Sequence, residues 1–209
     1  MFKTEQEEFW SGDFGNQYIE RNKMEGGGGQ LALFSKIFSR TNLKVESVIE
    51  FGANIGLNVK AIRQLLPNSR CAAVEINHNA VTELKAFMEE KDVFEGSILD
   101  YHSISDNEKY DFVFTKGVLI HINPEELDNV YRILYETSKK YICIIEYYNP
   151  MPVSINYRGY DHKLFKRDFA GEILDKYRDL TLEDYGFVYH RDNNFPQDDL
   201  TWFLLKKNS

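Results

Sequence analysis

The chain has 209 residues, a formal net charge of −8 and an apolar fraction of 43%, values that indicate one folded domain with a single buried core. No apolar run approaches the ~20 residues that a membrane-spanning helix requires, so no membrane segment is expected. The negative charge argues against a nucleic acid as the main partner, because phosphate binding needs a basic surface, and favours a small molecule or a protein.

The first part of the chain, residues 1–44, is expected to form a helical lid on a core of residues 45–209. It begins with the acidic run Met1–Glu8, which lacks the basic flank and apolar stretch of a secretory signal, so a cytoplasmic location is expected. Three helices are predicted, at Thr4–Trp10, Asn16–Asn22 and Leu31–Phe38. The run Gly26–Gly29 is interpreted as a flexible hinge and not a phosphate loop, because no strand precedes it and no Lys-Ser/Thr pair follows it.

From Val48 onward, short apolar runs alternate with amphipathic segments, which is typical of a parallel sheet covered by helices. Five strands are predicted, at Val48–Phe51, Arg70–Glu75, Asp92–Glu95, Tyr110–Thr115 and Lys140–Tyr147. Three helices are predicted between them, at Leu57–Leu66, Ala80–Glu90 after an Asn77 or Asn79 cap, and Pro124–Thr137. The only two cysteines, Cys71 and Cys143, lie in strands and are expected to be buried thiols, so neither a disulfide framework nor a metal site is predicted.

The C-terminal region departs from this alternation. Phe187–Arg191 and Thr201–Lys206 are predicted to form a hairpin on the sheet edge, joined by a polar linker. The predicted fold class is therefore α/β: a Rossmann-like seven-stranded sheet of five parallel strands plus a C-terminal antiparallel hairpin, with helices on both faces. Antiparallel edge strands also occur on unrelated α/β sheets, so the hairpin alone does not identify a fold.

The turn after the first strand is the first candidate binding site. Gly52 and Gly56 permit a sharp bend and a close approach of ligand to backbone. The spacing places Asn54 midway between the two glycines, unlike the G-x-G-x-x-G pattern that receives a pyrophosphate. Because the acid Glu50 precedes the turn, the site suits a ligand with an amino group and no phosphate. The amino-acid end of S-adenosylmethionine (SAM) meets both conditions.

The ends of the second and third strands supply further candidates. Glu75, followed by Ile76, can accept both hydroxyls of a ribose, although NAD sites use the same geometry. After the third strand, Ile98 can cover one face of an adenine and Ser97 can bond to its edge. These residues extend the predicted cofactor site from the amino-acid end to the nucleoside.

These strand ends, together with Asp111–Pro124, resemble the ordered motifs of class I SAM-dependent methyltransferases; Asn54 stands where glycine is commoner. Over nearly the whole chain, the sequence resembles more narrowly the methylases associated with pseudaminic acid biosynthesis. The segments that carry this likeness are Glu50–Gly56, Phe114–Pro124, Glu146–Pro150 and Tyr157–Glu172. The resemblance implies SAM as cofactor and, as acceptor, a nonulosonic sugar acid or its nucleotide-activated form in bacterial surface glycan biosynthesis.

His121 is the candidate catalytic residue, because the loop after the fourth strand faces the methyl group in such a site. It is a general base, a substrate contact or a structural cap of the following helix. Lys116, in the same loop, is a candidate cofactor contact or a residue that holds the loop.

Two further groups can complete the pocket. In the lid, Trp10 and Phe14 are expected to pack on the sheet, whereas Tyr18 and Arg21 are predicted to contact the SAM carboxylate. The other group is a basic segment with preceding tyrosines, interpreted either as ordinary surface charge or as an anion cradle for the substrate. Its predicted substrate-binding residues are Tyr147, Tyr148, Tyr157, Arg158, Lys166 and Arg167, with His162 and Lys163 nearby. Glu146 is the nearest acid, or ends its strand with a solvated side chain.

Two other functions remain open on the sequence. A nicotinamide-dependent reductase would use Glu75 on the adenine ribose, but the spacing of Gly52, Asn54 and Gly56 disfavours it. A non-catalytic SAM-binding scaffold of a glycosylation complex would retain the cofactor residues and have lost transfer.

Overall fold

The computed structural model describes residues 2–23, 27–42, 44–102 and 109–208. Its helices are α1 (Glu5–Ser11), α2 (Asp13–Asn22), α3 (Gly28–Phe38), α4 (Leu57–Leu65), α5 (His78–Lys85), α6 (Leu127–Thr137) and α7 (Phe169–Lys176). Its strands are β1 (Ser47–Phe51), β2 (Arg70–Glu75), β3 (Val93–Glu95), β4 (Tyr110–Lys116), β5 (Ser138–Glu146), β6 (Val153–Tyr157), β7 (Tyr160–Lys166), β8 (Leu180–Phe187) and β9 (Thr201–Lys207). Among the described helices, none has the length and apolar character needed to span a membrane.

The main sheet has seven strands in the order β3-β2-β1-β4-β5-β9-β8. Strands β1 to β5 are parallel, β9 runs antiparallel to β5, and β8 runs antiparallel to β9. The predicted fold class, five parallel strands with a C-terminal antiparallel pair, is confirmed. The chain order reverses at β1, which lies between β2 and β4, and ligands of such sheets bind at this point beyond the carboxyl ends of the strands.

Helices cover both faces of the sheet because its strands are apolar on both sides. On one face, Ile49, Phe51 and Ile142 belong to a buried cluster with residues of α6 and α7. On the other, Val48 and Phe114 belong to a second cluster with residues of α3, α4 and α5. Helix α3 is therefore part of the sheet core, and within the predicted lid only α1 and α2 lie away from these two clusters.

Two predicted segments are corrected by the structure. The first hairpin strand is β8 at Leu180–Phe187, not Phe187–Arg191, because the register shift between Leu182 and Asp184 interrupts the alternation of apolar and polar residues. Of the predicted glycine hinge, Gly28 and Gly29 form the first turn of α3 after an N-cap at Gly27, whereas Gly26 lies outside the described residues.

A second, two-stranded sheet of β6 and β7 precedes α7, in a region where no element was predicted. Strand β6 alternates apolar and polar residues, with Val153, Ile155 and Tyr157 separated by Ser154 and Asn156, but it is mostly exposed; the sequence signal was present and was missed. Helix α7 begins after Asp168, whose side chain accepts a hydrogen bond from the Gly171 backbone N–H.

Candidate functional site

A cavity of about 800 Å³ opens at the carboxyl ends of the parallel strands. Loops that follow β1, β2, β3 and β4 line it, with residues from 52–58, 74–77, 96–99 and 116–123. Helices α1 and α2, the start of α3 and the segment 190–200 before β9 complete the wall. Predicted cofactor residues from four separate strand ends therefore meet at one cavity, although Glu50 and Gly56 do not line it.

The glycine turn after β1 adopts the left-handed backbone that its sequence permits. Gly52, Asn54 and Gly56 have φ of 74°, 48° and 76°. A side chain on Gly52 would collide with Val118, and one on Gly56 would collide with Phe87. Asn54 tolerates its positive φ because its Oδ1 accepts a hydrogen bond from the Ile55 N–H at 2.7 Å, which explains how asparagine replaces the commoner glycine.

A substitution at Gly52 tests how tightly this turn is built. Gly52→Ala is expected to lower the free energy of unfolding by about 2 to 3 kcal/mol, since backbone strain adds to the overlap with Val118. Gly159→Ala is the matched control, because Gly159 also has positive φ, 89°, but open space around it. Urea denaturation measures both variants, and equal losses would contradict a packed turn at Gly52.

Glu75 lies on the cavity wall with Ile76 and holds the turn. Its Oε2 accepts the Asn54 backbone N–H at 2.7 Å, and its Oε1 accepts the Asn77 N–H at 2.8 Å. The Ile76 backbone N–H also bonds to this carboxylate, and its two oxygens together still have accepting capacity for a ligand hydroxyl. Burial raises the pKa of this carboxyl, and the backbone hydrogen bonds oppose that rise. Glu75 therefore holds the glycine turn and can also accept a hydrogen bond from a ligand in the cavity.

Glu50 lies behind the cavity wall. Its side chain is 1% exposed, and its Oε1 accepts a hydrogen bond at 2.6 Å from Nδ2 of Asn58, which does line the cavity. Burial raises the pKa of Glu50 to about 8, although the nearby positive charge of Lys116 lowers it. The predicted effect of Glu50 on a ligand amino group therefore has to act through Asn58.

Ser97, Ile98 and Lys116 also line the cavity. Ser97 Oγ accepts the Leu99 backbone N–H at 3.1 Å and so caps the short turn that carries Ile98. Ile98 and its neighbour Leu99 give this end of the cavity an apolar surface. Lys116 is the last residue of β4, beside the glycine turn.

His121 is buried, lines the cavity and ends the short 3-10 turn Leu119–His121. Its Nδ1 lies 2.6 Å from the Lys163 carbonyl oxygen, which can only accept a hydrogen bond. Nδ1 therefore carries the proton, and Nε2 has the lone pair of a neutral ring. Burial lowers the pKa of His121 to about 4, which keeps the ring neutral at pH 7. The rings of Trp10 and Tyr157 lie 4.6 and 4.9 Å from it.

Glu146 holds the turn that carries His121. Its carboxylate is 2% exposed and accepts the backbone N–H groups of Val118, Leu119 and Ile120 at 3.0, 3.0 and 3.4 Å. Burial raises its pKa to about 7. The interpretation of a solvated side chain is wrong. The sequence did carry an indication, because an acid that ends an otherwise buried strand requires a partner.

The lid helices are anchored to the core beside Glu75. Asn77 caps α5 through its Oδ1, and its Nδ2 donates to the Trp10 carbonyl at 3.2 Å and to Asn16 Oδ1 at 3.0 Å. On the other side, Gln6 Nε2 donates to the His162 carbonyl of β7 at 3.0 Å. These contacts fix α1 and α2 over the cavity.

Tyr18 and Arg21 share one face of α2, as their spacing predicts, but only Tyr18 lines the cavity. The Arg21 guanidinium lies 5.1 Å from the Tyr18 ring and 5.5 Å from the Phe14 ring. Its Nε and Nη2 are buried and have no hydrogen-bond partner among the described residues. The structure therefore does not place Arg21 where the predicted carboxylate contact requires it.

The six predicted substrate-binding residues are dispersed and do not line the cavity. Arg167 donates to Glu172 at 2.7 Å, and Lys166 lies 4.7 Å from the Tyr147 ring. Tyr148 is exposed near Phe203, and Arg158 lies at the tip of the β6–β7 hairpin. Of the six, only Tyr157 contacts the His121 ring. The anion cradle stays a prediction.

Comparison with known proteins identifies the fold. No family model and no curated protein matches the chain, so the narrower resemblance to the pseudaminic acid-associated methylases has no support there.

Solved structures do match. Magnesium protoporphyrin IX methyltransferase (ChlM) from Synechocystis PCC 6803 with bound SAM has 15% identity and a TM-score of 0.68 over 100% of both chains. The plantazolicin methyltransferase BpumL has 13% identity and a TM-score of 0.69 over 97% of this chain and 95% of its own. A SAM-dependent methyltransferase from Archaeoglobus fulgidus has 13% identity and a TM-score of 0.66 over 94% of this chain and 100% of its own. The chain has the Rossmann-like methyltransferase fold.

Proposed function

We propose that this chain is a SAM-dependent methyltransferase. The observation that carries the proposal is the meeting of Glu75 and the glycine turn Gly52–Gly56 at one cavity beside the strand-order reversal. Several neighbours of the same fold support it, because they are SAM-dependent methyltransferases, and the crystal structure of one of them holds bound SAM.

The residues present fit SAM. A cavity of about 800 Å³ is within the roughly 300 to 1,000 Å³ typical of small-molecule sites. Glu75 offers accepting oxygens for ribose hydroxyls, and Ile76 and Ile98 offer apolar surface for adenine. The wall acids Glu75 and Asp198 give the cavity negative charge, which complements a sulfonium.

SAM, when bound, would supply an electrophilic methyl group on its sulfonium, for in-line transfer to an acceptor oxygen or nitrogen with S-adenosylhomocysteine as the leaving group. The chain then has to orient the acceptor, exclude water and remove a proton. His121 Nε2 accepts that proton, while the Lys163 carbonyl holds Nδ1. Trp10 and Tyr18 of the lid, both on the cavity wall, shield the site from water.

For the acceptor we propose a small anion, a nonulosonic sugar acid or its nucleotide-activated form. This finer proposal is supported by the sequence resemblance in Glu146–Pro150 and Tyr157–Glu172. It is also supported by the position of the β6–β7 hairpin, whose Lys163 carbonyl accepts the hydrogen bond from His121. An acceptor near His121 therefore lies beside the hairpin that carries Arg158 and Lys166.

Two measurements test the proposal in sequence. Calorimetric titration should show binding of SAM and of its demethylated product S-adenosylhomocysteine (SAH), and no binding of NADH or NADPH. Nicotinamide binding without a response to SAH would support a reductase instead. Mass spectrometry of free and nucleotide-linked sugar acids incubated with SAM should then show a gain of one methylene. SAH binding with no methylated product would favour the non-catalytic scaffold.

A further inference from the structure

The first turn of α3 lies on the cavity wall with its backbone donors uncapped. Gly28, Gly29 and Gln30 line the cavity, and the first hydrogen bond within the helix joins Leu31 N to Gly27 O at 3.1 Å. The three preceding N–H groups therefore have no acceptor in the helix, and the N-cap Gly27 offers no side chain. With the helix dipole, these groups carry partial positive charge toward the cavity.

The Gln30 side chain is a second and independent indication of a ligand here. Gln30 is 5% exposed and lies on the cavity wall. Its amide makes no hydrogen bond to any residue in the described part of the chain. Because Gln30 lies on the cavity wall, a ligand in the cavity can supply the hydrogen-bond partner that the described residues do not.

The surroundings keep this turn accessible and fixed. Gly28 and Gly29 have no side chains to cover their N–H groups. Gln197 Nε2 donates to the Gly29 carbonyl at 2.8 Å, which ties the segment before β9 to α3 without using the donors. Within the part of the chain that the structure describes, the turn therefore presents donors that no neighbouring residue uses.

We propose that the first turn of α3 and the Gln30 amide form a carboxylate-binding subsite of the cavity. The backbone N–H groups of Gly28 and Gly29 and the Gln30 side-chain N–H donate to the carboxylate oxygens. The proposal rests on the proposed function for its ligands, which carry a carboxylate in two places: the amino-acid end of SAM and the sugar acid. The subsite supplies what Arg21, away from the wall, does not.

Gln30→Glu tests the subsite, because it sets a negative charge against the bound carboxylate. Calorimetry compares SAH with 5′-methylthioadenosine, which lacks the amino acid and so reports an intact nucleoside site. In the cofactor arm we expect SAH affinity to fall about tenfold and that of 5′-methylthioadenosine to stay unchanged. In the acceptor arm, N-acetylneuraminate is titrated into the SAH-loaded protein. If the subsite binds the acceptor and not the cofactor, Gln30→Glu lowers the affinity for N-acetylneuraminate and leaves the affinity for SAH unchanged. Gln64→Glu, an exposed helical position, is the matched control.

Loss of affinity for either carboxylate probe alone supports the subsite and identifies its source. Unchanged binding of both probes overturns it, as does an equal loss for SAH and 5′-methylthioadenosine, which would indicate a general distortion. Failure of the unsubstituted protein to bind SAH is a separate result that contradicts the proposed function. In that case N-acetylneuraminate is titrated into the protein without SAH, and an affinity that Gln30→Glu leaves unchanged overturns the subsite.

Discussion

Replacing Glu75 with alanine is expected to weaken SAH binding by about 100-fold. The carboxylate that lies on the cavity wall is the acceptor proposed for two ribose hydroxyls, and hydrogen bonds to a charged group contribute about 1.5 to 3 kcal/mol each. Glu90→Ala, which removes an exposed carboxylate that does not line the cavity, should bind SAH like the unsubstituted protein. Calorimetric titration gives both affinities.

A structural effect has to be separated from the ligand contact, because Glu75 also accepts the Asn54 and Asn77 N–H groups. The 2′-deoxy form of 5′-methylthioadenosine makes the separation. The unsubstituted protein should prefer the ribose form, whereas Glu75→Ala should bind the two forms equally. If the preference for ribose persists in the variant, Glu75 holds the loop and does not contact the ligand.

The parallel part of the sheet could be predicted because its strands are short, apolar and separated by amphipathic helices. The regions that failed differ from that pattern. Strand β6 does alternate apolar and polar residues, but it is mostly exposed and lies outside the main sheet, whereas β8 changes register between Leu182 and Asp184, which interrupts its alternation. Each is paired with the strand that follows it in the chain, β7 or β9, and this pairing is not visible in the segment's own sequence.

The candidate site divides in the same way. The positions of Gly52 and Glu75 could be predicted, because each lies at the carboxyl end of a predicted parallel strand, and these ends meet at one edge of the sheet. The role of Glu146 was not, since it depends on three N–H groups in the loop after a different strand. The position of Arg21 depends on its side-chain conformation against Phe14 and Tyr18, which helical spacing does not determine.

His121→Asn is expected to slow methyl transfer to a hydroxyl acceptor by about 100-fold or more, the usual contribution of a general base. Asparagine keeps an N–H that can donate to the Lys163 carbonyl and removes the basic Nε2. Affinity for SAH should stay nearly the same, because the change leaves Glu75 and the glycine turn intact. The rate of SAH formation with the acceptor found by mass spectrometry measures the effect. An unchanged rate would assign His121 a structural role.

The pH dependence gives an independent test of His121. Its pKa is lowered by burial from 6.5 to about 4, so between these values the unfolded chain binds more protons than the folded protein. The free energy of unfolding is therefore unaffected by His121 above pH 6.5, and protonation of this residue lowers it by about 3 kcal/mol as the pH drops toward 4. The raised pKa values of Glu50 and Glu146 act in both proteins alike.

The difference in pH-dependent stability between the unsubstituted protein and His121→Asn thus gives the contribution of the histidine. Urea denaturation at pH 7 and pH 5 should show a larger loss of stability on acidification for the unsubstituted protein. The His121 base should stay available from pH 8 to about pH 5, because the neutral ring persists over that range when the pKa is about 4. Glu146, whose pKa is about 7, titrates in the same range, so the pH profile of the transfer rate is compared with that of Glu146→Gln. A rate that falls through pH 6.5 in both proteins would show instead that the ring is solvated, and that the packing of Trp10 and Tyr157 against it opens during turnover.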